Sequence, residues 1–198
     1  MESLISPSVF HKRAPMSRLP FSTALLLAPL AYAIHHAEEH LVFNFRAWRL
    51  KYFPDNNALS TEAVLVILTV VALVYILLHA TVRTRVSAWV ALLFLMATQV
   101  HNAFFHIGGT LAFSDFSPGL ITAIALYLPV NWVIARTALA EGLVTPRQLG
   151  ALFVGGGALF WAFEYAGPVV LLAAVPVTWA WALASGRRGA QDKEATHA

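Results

Sequence analysis

Long apolar runs fill most of this 198-residue sequence and leave it few ways to fold. An α-helix needs about 20 apolar residues to cross the hydrocarbon core of a bilayer, which is roughly 30 Å thick. Four runs meet that length, at residues 21–45, 62–81, 86–107 and 118–135. A fifth run, residues 148–185, is too long for one helix, and Gly167-Pro168 interrupts it. We therefore divide it into two shorter spans.

The composition agrees with a membrane protein. Hydrophobic residues make up 59% of the chain and charged residues 12%, whereas a soluble domain carries about 25% charged residues. The net charge of +3 comes from basic residues that flank the apolar runs, so we expect membrane lipids and no nucleic acid as partners. The sequence contains no cysteine, which excludes disulfides, thiolate nucleophiles and cysteine-ligated metals.

These features predict an all-α, polytopic membrane helix bundle with six transmembrane helices, five being the alternative. Cytoplasmic loops should carry most of the lysine and arginine. Six spans with a cytoplasmic amino terminus leave only Arg46, Arg49 and Lys51 of the 13 basic residues on the outer side. Both termini are then cytoplasmic. The predicted parts are a cytoplasmic segment at 1–20, a transmembrane domain at 21–185 and a cytoplasmic tail at 186–198.

Ionisable residues interrupt the first apolar run, where residues 35–40 read His-His-Ala-Glu-Glu-His. A carboxylate at mid-membrane costs roughly 2.5–3.5 kcal/mol, so two adjacent ones should be paired or useful. Spacings of three and four residues place His35, Glu38 and Glu39 on one helix face. His36 and His40 share another face, with Glu39 at its edge. By this spacing, one regular helix cannot direct all five side chains to one point.

Two later runs contribute polar residues at a similar depth. Gln99, Asn102 and His106 lie on one stripe of the third span, with His101 beside it, and the fifth run contains Glu164. At about 1.5 Å of rise per residue, residues 101–106, Glu164 and the first cluster all lie roughly 22–30 Å from the cytoplasmic ends of their helices. The sequence therefore predicts a buried polar site between the first, third and fifth helices, near the outer edge of the hydrocarbon.

Two of these motifs carry a family resemblance. His35-x-x-Glu38-Glu39 followed by Asn102-x-x-x-His106 resembles the bacterial membrane-protein family named for its HXXEE motif, which also has an NXXXH motif. The resemblance covers the first to the fourth span. It implies that these five residues are the family's characteristic polar residues and that the protein lies in a bacterial plasma membrane, but it brings no activity with it.

Histidine and carboxylate groups on crossing helices can bind a divalent metal, and neutral imidazole with carboxylate oxygen suits zinc. A fourth position left to water would make such a site catalytic. The candidate metal ligands are His35, His36, Glu39, His101 and His106.

The predicted catalytic residues are Glu38, Glu39 and Asn102. One glutamate binds the metal and the other acts as general base, while Asn102 orients a ligand or polarises a substrate carbonyl. Secondary candidates at the same depth are His40, Gln99 and Glu164. This hypothesis predicts a metal-dependent hydrolase that acts on a lipidic or other membrane-accessible substrate.

Three other interpretations use the same residues. Burial could raise the pKa of the glutamates and create a metal-free acid/base isomerase or lyase for a lipidic substrate. The cluster could also relay protons or ions in a coupled transporter, although six spans without an inverted repeat are atypical of one. In the third interpretation, the polar groups satisfy one another and only hold the helices together.

Overall fold

The computed structural model describes residues 19–55, 59–167 and 169–197, and this part of the chain contains helices and no strand. Seven helices follow one another along it. They are α1 (Phe21–Ala24, Leu27–Ala37 and the π-helical Glu38–Val42), α2 (Phe45–Tyr52), α3 (Thr61–Val82), α4 (Arg85–Phe113), α5 (Leu120–Ala140), α6 (Pro146–Ala166) and α7 (Val169–His197). The cytoplasmic segment predicted for residues 1–20 lies outside the described residues, except for its last two.

Four of these helices, α3 to α6, are long and apolar enough to cross a bilayer. The prediction of an all-α, polytopic membrane bundle is therefore confirmed. The count of six spans stays a prediction. α1 is broken at Leu25-Leu26, and the structure does not describe all the side chains of α7. Gly167, with φ +74°, separates α6 from α7 at the predicted break. α7 continues through the predicted tail boundary at residue 186.

α1 runs the length of the bundle despite its interruptions. At its start, the Phe21 backbone N–H donates to the Glu141 carboxylate at the end of α5 (2.5 Å). The Phe21 ring also meets His79, near the end of α3, at a centroid distance of 4.9 Å. The last turn of α1 lies at the opposite end of the bundle, against the first residues of α5.

α2 is a short helix that packs at this second end. Trp48 is buried against Gly109 of α4, where an added Cβ would lie 2.8 Å from the indole ring. The Tyr52 hydroxyl donates to the carboxylate of Asp115, in the loop after α4, at 2.8 Å. This hydrogen bond holds the pKa of Asp115 below its usual range, so the carboxylate stays charged and fixes α2 over the buried polar layer.

Three π-helical segments lie in the bundle, at Glu38–Val42 in α1, Met96–His101 in α4 and Ala123–Tyr127 in α5. In the first of them, the Phe43 N–H donates to the Glu38 carbonyl over a span of five residues (3.1 Å). A π turn contains one residue more than an α turn and is frequent at functional sites. A π turn therefore changes which side chains share a helix face. Each of the three segments adjoins the polar cluster described below.

Candidate functional site

Glu39 lies at the centre of the polar cluster and is buried at the end of α1. Its Oε1 atom faces the Nε2 atoms of His35 at 3.4 Å and of His106 at 3.2 Å. Its Oε2 atom faces His36 Nδ1 and His40 Nε2, each at 3.6 Å. Four imidazoles, two on each oxygen, therefore surround one carboxylate.

Spacing along α1 accounts for most of this arrangement. His35 and His36 reach Glu39 over four and three residues, as a regular helix allows, and Glu39 lies at the edge of the face that His36 and His40 share. His40 follows Glu39 directly in the chain and lies inside the π turn that begins at Glu38. Only Glu38 points away from the common centre.

A hydrogen-bond network determines which nitrogen of His35 faces Glu39. His35 Nδ1 lies 2.9 Å from the Thr122 hydroxyl, and that hydroxyl donates its proton to the Glu38 carboxylate at 2.5 Å. A carboxylate can only accept, so the Thr122 oxygen must accept from the Nδ1–H of His35. The Nε2 atom of a neutral His35 then carries no proton, and its lone pair is directed at Glu39.

His106 is held in the same way from the loop before α5. Its Nδ1 atom lies 2.9 Å from the Ser117 hydroxyl, and both side chains are fully buried. The Nε2 atoms of His35 and His106 are buried and have no hydrogen-bond partner among the described residues. Two imidazole nitrogens whose orientation is set by their other nitrogen thus converge on one oxygen of Glu39.

Glu38 has a different environment from Glu39. Its carboxylate accepts the backbone N–H groups of Ile121 (3.2 Å) and Thr122 (2.7 Å) in addition to the Thr122 hydroxyl. These donors belong to the first turn of α5, where an acidic side chain satisfies free N–H groups and complements the helix dipole. Glu38 therefore holds α5 and Thr122 in place, while Glu39 occupies the centre.

Gly119 forms one side of the centre, although no motif in the sequence indicated it. An added Cβ would lie 2.8 Å from His35 Cε1, 2.9 Å from His106 Cε1 and 3.0 Å from Glu39 Cγ. Its φ of +98° also favours glycine. Thr122 and Ser117 were missed as well. The only signal in the sequence was the arrival of the fourth span, with its starting glycine, at the depth of the cluster.

A cavity of about 160 Å³ adjoins the centre, and residues of α1 to α6 line it. His35, His36, Glu39 and His40 line it, and His106 does not. Three further lining residues carry buried polar atoms without a hydrogen-bond partner among the described residues, namely the hydroxyls of Tyr32 and Tyr127 and the Oδ1 of Asn102. The apolar part of the wall includes Leu68, Leu159, Phe160 and Phe163. The cavity therefore joins an apolar wall to a polar inner end.

Two candidates from the third span lie apart from this centre. Gln99 donates to the Ala28 carbonyl and accepts from Asn131, both at 2.8 Å, so its amide joins α1, α4 and α5. His101 Nδ1 is bonded to the Met96 carbonyl at 2.9 Å, and its Nε2 atom lies where a Cβ on Gly157 would be 2.7 Å away. Both residues pack helices together.

Glu164 lines the cavity but does not touch the centre. Its carboxylate forms an ion pair with Arg49 of α2 at 3.0 Å. The pair links the end of α6 to α2 and places charge on the cavity wall beyond the histidines. Glu164 therefore belongs to the surroundings of the cavity.

Two groups of described residues have a geometry that could hold a metal ion. They are His35, Glu39 and His106, and His36, Glu39 and His40, with ligand atoms within 4.8 Å of one another in each group. A buried His/Glu group of the predicted kind is therefore present. Both groups share Glu39, one through each of its oxygens.

Comparison with protein families identifies the motif seen in the sequence. A family model described as "Protein of unknown function with HXXEE motif" matches residues 26–134, which extend from α1 into α5 and include His35, Glu39 and His106. No curated protein and no solved structure matches the chain significantly.

Proposed function

The chain belongs to the HXXEE family, whose function is unknown, and from that premise we propose that its buried His/Glu centre binds a divalent metal and hydrolyses a lipidic or other membrane-accessible substrate. Imidazole nitrogen and carboxylate oxygen are ligands that zinc accepts at tetrahedral sites, so zinc is the proposed ion. The first ligand set is His35, Glu39 and His106.

The separations around Glu39 Oε1 carry this proposal. Two ligand atoms about 2.0–2.2 Å from a tetrahedral metal lie about 3.4 Å apart. A charge-assisted hydrogen bond would instead bring nitrogen and oxygen to about 2.7–2.9 Å. The 3.4 Å to His35 fits a shared metal better than a hydrogen bond, and the 3.2 Å to His106 is longer than a charge-assisted hydrogen bond and close to the separation of two metal ligands.

The second nitrogens of the two histidines support the same interpretation. Metal-binding histidines almost always use their other ring nitrogen to donate to a neighbouring acceptor, which fixes the ring and makes it a better ligand. Thr122 occupies this position for His35, and Ser117 lies at the corresponding distance from His106. Without a cation, the lone pair of a neutral His35 would face the negatively charged oxygen of Glu39.

A metal at this position would supply an activated water and polarise a substrate carbonyl. In the proposed reaction, the oxygen of water bonds to the acyl carbon, and the bond from that carbon to the leaving oxygen of an ester or nitrogen of an amide breaks. The proton that the water loses is transferred to the leaving atom. The Tyr32 and Tyr127 hydroxyls have no partner among the described residues and could donate to the substrate oxygen. Asn102 Oδ1 could accept from a substrate N–H or O–H group, which would orient the substrate.

The cavity limits what can reach this centre. Its volume of about 160 Å³ is close to that of an engineered cavity that holds benzene. A whole phospholipid does not fit, so we propose that the reacting ester or amide enters with a few carbons while the rest of the substrate stays in the membrane. The apolar wall formed by Leu68, Leu159 and Phe160 suits such a substrate.

We also propose a location for the protein. The resemblance to the bacterial HXXEE family favours a bacterial plasma membrane, and the basic residues favour both termini in the cytoplasm. This orientation places the centre near the outer leaflet. This orientation would give the cavity access to lipids and to compounds outside the cell.

Metal content together with hydrolysis tests the proposed function. We expect the purified protein in detergent to contain at least one equivalent of divalent metal per chain. His35→Asn, Glu39→Gln and His106→Asn should lose most of it and lower the hydrolysis of short-chain p-nitrophenyl esters at least about 100-fold. His79→Asn is the matched control, because His79 is also a buried histidine but bonds to Ser87 at the other end of the bundle.

The possible results separate the alternatives. Protein without metal that still turns over the esters after chelation would contradict the metal site and favour the acid/base enzyme. Metal without hydrolysis of the esters or of phospholipid vesicles would contradict the hydrolase and leave the metal site standing. Proton flux in sealed vesicles without turnover would favour the transporter.

A further inference from the structure

We propose that the centre holds two metal ions bridged by Glu39, with His36 and His40 as ligands of the second ion. This inference rests on the proposed metal function, because it requires the first ion on Glu39 Oε1. It makes the second oxygen of Glu39, Oε2, a metal ligand, whereas this oxygen would bind no metal in a centre with one ion.

The geometry around the two oxygens of Glu39 is nearly symmetrical. His36 Nδ1 and His40 Nε2 are both 3.6 Å from Oε2, while His35 and His106 are 3.4 Å and 3.2 Å from Oε1. All four separations lie close to the distance of about 3.4 Å between neighbouring ligand atoms of a tetrahedral metal. At 3.6 Å, His36 and His40 are too far from Oε2 for an N–H···O hydrogen bond, which measures about 2.7–3.2 Å.

Burial makes a purely structural role for this second pair costly. His36 is 6% exposed, and its Nε2 atom is buried without a hydrogen-bond partner among the described residues. A buried polar group without a partner costs roughly 1–3 kcal/mol. A metal on the Glu39 side would use the Nδ1 lone pair of His36, and Nε2–H would remain to donate to a substrate in the cavity that His36 lines.

The two positions differ in their access to the cavity. His36 and His40 line the cavity, and His106 does not. The second ion would therefore lie on the substrate side, with the first one deeper in the bundle. Paired metals about 3.5–4 Å apart can hold the attacking water and the departing oxygen of one substrate, so this arrangement would suit the proposed hydrolysis.

Metal stoichiometry and magnetic coupling test the second site. We expect the wild-type protein, reconstituted with Mn²⁺, to bind two ions per chain and to give the electron paramagnetic resonance spectrum of a coupled pair. His36→Asn and His40→Asn should each bind one ion and give an uncoupled spectrum. His79→Asn should keep two coupled ions.

The wild-type measurement decides the proposal even if a variant does not fold. One uncoupled ion in the wild type, unchanged in His36→Asn and His40→Asn, would overturn the second site but leave the proposed function intact. In that case, the two histidines would be proton acceptors beside a single metal. No bound ion in the wild type would overturn the proposed function itself.

Discussion

At the scale of single residues, the centre depends on the lack of a side chain at Gly119 as much as on the side chains that are present. Gly119 has no side chain, and the His35 and His106 rings come together in the space that its Cβ would fill. The same residue adopts a φ that L side chains rarely adopt. The histidines and Glu39 can converge only while this position remains a glycine.

Replacing Gly119 by alanine should disrupt the centre. The new Cβ would lie within 3.0 Å of His35, His106 and Glu39, so we expect at least a 10-fold loss of bound metal by elemental analysis. Gly142→Ala is the matched control, because Gly142 also has positive φ, at +67°, but an added Cβ there meets no atom within 4 Å. Equal metal loss in both variants would mean that backbone strain, and not crowding of the centre, is responsible.

At the scale of the elements, the close approach of α4 and α6 determines how the π segment of α4 is placed. An added Cβ on Gly156 would lie 2.5 Å from Met96 Cβ and 3.0 Å from the Ala97 backbone nitrogen. On Gly157, it would meet the His101 ring. Small residues allow such contact between membrane helices. His101 therefore packs against α6, and the imidazoles that face Glu39 are those of α1 and of His106.

Two alanine substitutions in α6 should have opposite effects on stability. Gly156→Ala would force α4 and α6 apart, and we expect it to lower the unfolding free energy by about 1–3 kcal/mol. Gly150→Ala changes the same helix where a Cβ meets no atom within 4 Å. It should be neutral or stabilising by up to about 1 kcal/mol. Thermal unfolding in detergent, followed by circular dichroism, measures both, and equal midpoints for the two variants would contradict the close packing.

At the scale of the whole molecule, the bundle has two chemically different ends. One contains the start of α1, with Phe21 bonded to Glu141 and His79 bonded to Ser87. The other contains Glu39 and its histidines, and α2 packs over it. Gly186 of α7 lies beside Val82 and Thr84, at the end of the bundle where α1 starts. α1 therefore runs from one end of the bundle to the other, and α7 packs against α3, where Thr178 is bonded to Tyr75 (2.8 Å).

Cysteine labelling can test the orientation, because the chain has no cysteine of its own. With six spans, Phe116→Cys should react with a membrane-impermeant maleimide in intact cells. Ser3→Cys and Ala198→Cys should react only after permeabilisation. Labelling of Ala198→Cys but not Ser3→Cys in intact cells would support five spans instead. Labelling of both termini in intact cells would reverse the proposed orientation.

Sequence alone predicted the class of the fold and most of the central residues. The apolar runs indicated α3 to α6, because only helices of that length satisfy the backbone inside a bilayer. The depth of each polar residue, counted from the end of its helix, correctly brought His35, Glu39 and His106 to one level. It also brought His101 to that level, although His101 does not join the centre.

Only the tertiary structure decided which of these residues meet. Depth follows from counting along a helix, but the direction of a side chain depends on the rotation of that helix, and a π turn changes this rotation without a signal in the sequence. The structure therefore separates Glu39 from Glu38, adds His106 of α4 to the histidines of α1, and directs His101 towards α6. Gly119 and Thr122 belong to the centre because folding brings α5 against α1, a contact that residues so distant in the chain cannot reveal.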